Sequence, residues 1–357
     1  MDAALASLPP ASGRPETPPV AWRGIALMFA VLGIFFATGI ARAGLSQSLY
    51  DLGLRRPSLA LFTLLLISPA FFEMAYPALW RVSRGPGRVA VERLHLHAPY
   101  LIAIGTMMVV MRFENTFDLR ITAALGLDFT RAIQGIEGNA VEVAQAWLRG
   151  SAAVRNVLDP FLIFVYLTVF AVYHLAGIIG FALAGKGEMV RRFTVAWVGI
   201  YAVALPFYLF FPVNEVWVTN IEHGGTSSVA NVLGDGSGLG QDASFAIASI
   251  NNCFPSLHNA FAWALPMLLL RSGWRRLGGA LSGVAFLISL STVYLGIHWF
   301  TDLAAGIALA WGVVHVAMNL DYRLTHGMRI VDLRWRGRPI RPPAPQPSPS
   351  TEPNLDD

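Results

Sequence analysis

Apolar residues gather in this chain into long runs separated by short polar stretches. Eight runs approach the roughly 20 residues that a helix needs to cross a hydrocarbon core. They cover about 24–41, 58–80, 97–111, 156–184, 193–212, 257–270, 277–297 and 299–320, the third and sixth being short and extending into their flanks. The pattern predicts an all-α, polytopic bundle of about eight transmembrane helices. Only Arg14 and Arg23 precede the first run, and no small-residue cleavage pattern follows it, so it reads as a retained anchor.

The polar stretches divide the chain. Residues 1–22 form a Pro/Ala-rich tail expected to be disordered, 23–96 hold two helices and a basic inner loop, and 97–320 hold a six-helix core. Residues 321–357 are a basic, then Pro-rich tail, also expected to be disordered. Within the core, 112–155 is too polar to span but carries helical apolar spacing at Phe117, Ile121, Leu125, Val141, Ala144 and Leu148. Gly126, Gly135 and Gly138 interrupt it, which predicts one or two short helices lying on or over the membrane surface. Residues 222–240 are Gly/Ser-rich and read as a flexible loop. There is no internal repeat.

Composition agrees with lipid as the main solvent: mean hydropathy is +0.53 and only 13% of residues are charged, against about 25% in a soluble domain. Charge then orients the bundle. Arg81, Arg84, Arg88 and Arg93, then Lys186, Arg191 and Arg192, then Arg271, Arg275 and Arg276 fall in alternate loops, while 213–256 has no Lys or Arg at all. By the positive-inside bias both termini are cytoplasmic and 213–256 lies outside, with Arg42, Arg55 and Arg56 a mild exception. No basic run interleaved with aromatics points to nucleic acid. The single cysteine, Cys253, excludes an internal disulfide; with no basic residue near it, it reads as a small buried residue rather than a nucleophile. Glu73, in the second run, is costly in lipid and is expected to face a partner.

Two motifs open long apolar runs on the same, outer face. Phe254-Pro255-Ser256-Leu257-His258 is the first, and His298-Trp299-Phe300-Thr301-Asp302 the second. His298 and Asp302 are one helical turn apart, so the carboxylate can fix the imidazole tautomer and leave the other ring nitrogen free. Ser256 reads as an N-cap, and the helix N-terminus behind it as an anion site. A phosphate held there, attacked by one His while the other protonates the leaving oxygen, is a coherent phosphoryl-transfer site. Three competing readings stand beside it. Histidines in apolar helices commonly serve packing, the reading given to His174 and His315, with His95 and His97 interfacial. A His/His/Asp zinc site needs only three ligands, but the spacing does not demand one, and no metal or cofactor is assigned. A transporter would hold its site near the bilayer midplane, whereas these histidines sit at helix mouths.

These residues resemble the type 2 phosphatidic acid phosphatase superfamily of integral membrane enzymes, over about the last 170 residues. Its Pro-Ser-Gly-His motif is matched by Pro255-Ser256-Leu257-His258, and its Ser-Arg-x5-His-x3-Asp motif by Ser291-Thr292, His298 and Asp302. The resemblance implies that His298 attacks phosphorus, Asp302 orients it and His258 protonates the leaving group. The family's Lys-x6-Arg-Pro motif is missing, since no Lys or Arg lies between Arg192 and Arg271, and Thr292 replaces the other motif's Arg. Charge on the phosphate must then be met elsewhere. The candidates are Arg112, Arg120, Arg131, Arg149 and Arg155, with Arg112, beside Glu114 and Asn115, first among them and Arg112, Asn115 and Ser256 taken as substrate-binding. That loss resembles the inositol phosphorylceramide synthase branch and its sphingomyelin-synthase relatives, which transfer a headgroup between lipids. The implied substrate is a phospholipid or polyprenyl phosphate, processed by a lipid phosphatase or phosphotransferase in the plasma (inner) membrane, on its non-cytoplasmic face.

Overall fold

The computed structural model describes residues 79–222, 229–232 and 250–325. The N-terminal tail, the first predicted span, all but the end of the second with Glu73, most of the 222–240 loop and the tail beyond Thr325 lie outside the described residues; residues 321–325, expected to begin a disordered tail, continue the last helix. Those described are helical, without a strand among them; an isolated parallel bridge joins Val213 to Asn252. The helices are α1 (Pro86–Leu125), α2 (Thr130–Glu137), α3 (Ala140–Arg149), α4 (Ala152–Phe164), a π turn (Val165–Val169), α5 (Phe170–Leu183), α6 (Gly187–Phe210), α7 (Val216–Glu222), α8 (Leu257–Arg271), α9 (Arg275–Tyr294) and α10 (Phe300–Thr325).

Among the described residues, four stretches are long and apolar enough to cross a membrane: Ala152–Leu183, Gly187–Phe210, Arg275–Tyr294 and Phe300–Asp321. The predicted span at 257–270 is α8, whose 15 residues rise only about 22 Å. The predicted span at 97–111 belongs to a 40-residue helix, α1, which differs most from expectation. It does not end at the polar residues after 111 but runs on to Gly126, which takes the left-handed conformation (φ 64°) and closes the last turn through its N–H to Ala123. The polar side chains of this last stretch are buried rather than wetted: Glu114, Asp118 and Thr122 face the bundle beside Phe117 and Ile121. Only α2 and α3 remain as short helices in the 112–155 region, because Ser151 caps α4 by accepting from Val154 N–H.

α6 is the central helix. Phe193, Trp197, Ile200, Tyr201, Ala204, Leu205 and Tyr208 are buried on it, while Val203, Phe207 and Phe210 form an exposed apolar stripe near its end. It packs on α1, α8 and α10. α8 fills the space between α6, α9 and α10, and Gly273 (φ 85°) turns the chain tightly from α8 into α9. At one end of the bundle Arg191 and Arg192 of α6 both grip Asp321 of α10, the second at 2.8 Å. At the other end, where α8 and α10 begin, α2 and α3 lie across the helix mouths. Phe129 N–H donates to Pro212 O (2.9 Å), Asn214 N–H to Thr130 Oγ1 (2.9 Å) and Gln145 Nε2 to Tyr294 O (2.9 Å). A second, smaller apolar cluster fills the space beneath them, built from Ile133, Val141, Val213, Trp217, Val293 and Trp299.

Candidate active site

Ser256 starts α8 as an N-cap: its Oγ accepts from Asn259 N–H at 3.3 Å and from Asn259 Nδ2 at 3.0 Å. Its own N–H donates to Asp302 O at 3.1 Å, so the mouths of α8 and α10 are joined backbone to backbone. Tyr208 of α6 donates its hydroxyl to Pro255 O at 2.8 Å and fixes the approach to the helix. His258 therefore sits in the first turn of α8, its ring against Tyr166 and Phe170 at centroid distances of 4.7 and 5.0 Å. Tyr166 comes from the π turn, a local widening of the helix that recurs at functional sites.

His298 lies in the turn from α9 to α10. Gly296 makes that turn with φ 74°, and a Cβ on it would meet Val229 at 2.7 Å and Ala230 O at 2.9 Å, so both conformation and space call for glycine. The turn closes through Ile297 N–H to Thr292 O at 3.0 Å. Asp302, in the first turn of α10, accepts Trp299 N–H on Oδ2 at 2.9 Å, the return half of a capping box. Glu137, at the end of α2, accepts from Phe300 and Thr301 N–H and caps the same helix.

These elements bring four of the expected residues together. His258 Nδ1 lies 3.2 Å from His298 Nε2. On the far side of the ring, His298 Nδ1 is 3.5 Å from Asp302 Oδ2, and the direct carboxylate–imidazole bond expected from the spacing is not what the structure has. Cys253 takes that place: its Sγ is 3.1 Å from His298 Nδ1 and 2.7 Å from Asp302 Oδ2. Cys253, Ser256 and Asp302 are fully buried and His298 nearly so. Burial holds the His298 ring neutral, with its pKa pushed down to about 3. Burial, and then the Asp302 carboxylate, push the Cys253 thiol up, so it is protonated at rest. Burial also raises Glu215 to about 8. Across the contact between the two rings one donates and the other accepts; a lone pair on His298 Nε2 with the proton on His258 is the pairing that serves attack and protonation at one centre.

Arg112 and Asn115 lie on α1, but their side chains are outside what the structure describes. Arg120 and Arg131 are exposed. Arg149 pairs with Asp159 at 3.1 Å, Arg155 donates to Arg149 O at 3.1 Å, and with Gln145 the two line a cavity of about 260 Å³. Like Cys253, the buried polar face of α1 is not apparent from the sequence pattern. Asn252 Nδ2 donates to Glu114 Oε1 at 3.1 Å, Tyr201 OH to Glu114 Oε2 at 3.4 Å, and Asn251 Nδ2 to Thr122 Oγ1 at 3.0 Å. Those bonds pin the two residues just before Cys253. The only sequence signal for the cysteine was its place three residues ahead of Ser256.

The family model described as the PAP2 superfamily matches residues 119–316, more than half of the chain, and takes in Cys253, Ser256, His258, His298 and Asp302. No curated protein and no solved structure matches it.

Proposed function

The chain belongs to the PAP2 superfamily, and from that premise we propose that it is a membrane phosphotransferase acting on a lipid phosphate or phosphodiester by double displacement through His298. Membership itself points to phosphatase or phosphotransferase chemistry in a membrane-embedded protein. The observation that carries the finer reading is the 3.2 Å approach of His258 to His298, with Asp302 behind the second ring. A phosphorus centre that parts the rings and replaces their 3.2 Å contact meets the His298 Nε2 lone pair on one side and the His258 proton on the other. Attack forms the N–P bond and breaks the P–O bond to the departing group, whose oxygen takes the proton from His258. In the second step His258, now basic, removes the proton from an incoming hydroxyl, which displaces His298. The α8 N-terminus at Ser256 offers a positive dipole end to the phosphoryl oxygens.

Burial of the site beneath α2 and α3 favours a lipid hydroxyl over water as the second nucleophile, so headgroup transfer of an inositol-phosphate-like group is the preferred arm and hydrolysis the other. Donor and acceptor reach the site from the bilayer. The eight-span arrangement, with cytoplasmic termini and the site at the non-cytoplasmic face of the plasma membrane, is the topology supported by the loop charges. Purified protein incubated with a phospholipid pool and alcohol acceptors, followed by lipid mass spectrometry, tests the reading. A new phosphodiester lipid, lost in His298→Ala and His258→Ala, is expected. Free phosphate without a new lipid leaves hydrolysis alone, and full turnover by His298→Ala overturns the mechanism.

A second reading has one observation in its favour. The ligand atoms of Cys253, His298 and Asp302 lie within 4.8 Å of one another, a sulfur, nitrogen and oxygen set that zinc accepts. A zinc hydrolase predicts loss of activity with chelators and recovery with zinc; double displacement predicts indifference to chelators and inhibition by vanadate.

A further inference from the structure

Resting on the reading of His298 as the nucleophile, the geometry assigns Cys253 as a positioning residue: its thiol carries the hydrogen bond from Asp302 to the His298 ring. The carboxylate and the imidazole are 3.5 Å apart, while the sulfur is within hydrogen-bond reach of both, at 2.7 and 3.1 Å. Sulfur bonds are normally longer than oxygen or nitrogen ones, so these two are close contacts. A thiol has one proton and three atoms within reach could accept it, Ile297 O at 3.2 Å, His298 Nδ1 at 3.1 Å and Asp302 Oδ2 at 2.7 Å. The carboxyl oxygen, the nearest by 0.4 Å, takes it. With its proton committed to Asp302, the sulfur can only accept from His298, which places the ring proton on Nδ1 and leaves Nε2 bare, facing His258 at 3.2 Å.

The arrangement also serves the intermediate: when Nε2 bonds phosphorus the ring becomes cationic while keeping its Nδ1 proton, and the sulfur lone pair with the Asp302 carboxyl group behind it faces that charge.

The test uses full-length protein in lipid nanodiscs, with phospholipid donor and alcohol acceptor, comparing wild type, Cys253→Ser, Cys253→Ala and His298→Ala. Cys253→Ala is expected to lose roughly 10–100-fold in kcat, the scale on which loss of a group orienting a histidine is felt, with KM little changed. Cys253→Ser, which keeps a donor and an acceptor, is expected to recover most of the rate. Imidazole 15N NMR should find the Nδ1–H tautomer of His298 in wild type and in the Ser variant, and a mixture in the Ala variant. Should Cys253→Ala fail to fold, the Ser variant's rate and tautomer still decide the question. The assignment is overturned if Cys253→Ala turns over like wild type, if Ser is as impaired as Ala, or if the wild-type protein carries stoichiometric zinc that Cys253→Ser loses. Failure of the underlying reading looks different: His298→Ala would remain active whatever Cys253 does.

Discussion

Gly306 lies one turn beyond Asp302 on α10, where that helix crosses the mouth of α8. A Cβ at this position would stand 2.4 Å from Ser256 O, 3.2 Å from Asn259 Cβ and 3.3 Å from Ala260 N. An ordinary carbon-to-carbonyl contact is about 3.3–3.6 Å, so Gly306→Ala leaves the two helices about 1 Å too close. The obstacle is backbone on a capped helix start and cannot swing aside, so the helices must part. The Ser256 N–H to Asp302 O bond is then the first to lengthen, and His258, carried by α8, draws away from His298, which leads into α10. Overpacking of this kind costs about 1–3 kcal/mol, and a 1 Å misplacement of reacting groups costs about 100-fold in rate. Gly312→Ala on the same helix is the control. Nothing lies within 4 Å of its Cβ position, and alanine there gains about 0.5–1 kcal/mol of helix preference. Thermal unfolding in detergent and kcat on a phospholipid donor should separate them: Gly306→Ala lower in both, Gly312→Ala as stable as wild type or more so, with unchanged kcat. Equal behaviour of the two, or a fully active Gly306→Ala, would refute the argument that close approach of α8 and α10 sets the ring geometry.

Other predictions concern the surroundings of the site. His298 is neutral when folded, its pKa moved from 6.5 to about 3, so the unfolded chain binds the extra proton and stability falls as pH drops from 6.5 towards 3. Glu215, raised from 4.5 to about 8, keeps its proton when folded, so its contribution is lost as pH rises from 4.5 to 8. Unfolding midpoints against pH should thus have a shallower acid limb in His298→Gln and a shallower alkaline limb in Glu215→Gln. Gln145→Ala strands Tyr294 O together with the N–H and O of Ala230, and calorimetry should find a loss of roughly 1–3 kcal/mol. Asp321→Asn leaves Arg191 and Arg192 without their shared carboxylate; a loss of about 3–5 kcal/mol is expected in denaturant titration. The kcat of the folded fraction should hold, because the site is at the opposite end of the bundle.

Much of the site was legible in the chain. Helical spacing alone puts Asp302 one turn from His298, and Ser256 before an apolar run is a recognisable cap; both are local rules that act within a few residues. The alternation of basic and acidic loops places the two histidine motifs at one end of the bundle without any contact information. What could not be read was the surroundings. Glu114, Asp118 and Thr122 have the polarity of the wet end of a span. They are buried instead, Glu114 and Thr122 against Tyr201, Asn251 and Asn252 from two distant segments.

The sequence by itself determined that the protein is a bundle of apolar helices, and that His258, His298 and Asp302 open two of those helices, because hydrophobic run length, helical period and capping are properties of neighbouring residues. Only the tertiary structure decided that α1 continues unbroken to Gly126, that Gly306 must lack a side chain, and that a thiol stands between Asp302 and His298. Each depends on which atoms of remote segments approach one another, and such approaches follow from packing the whole bundle.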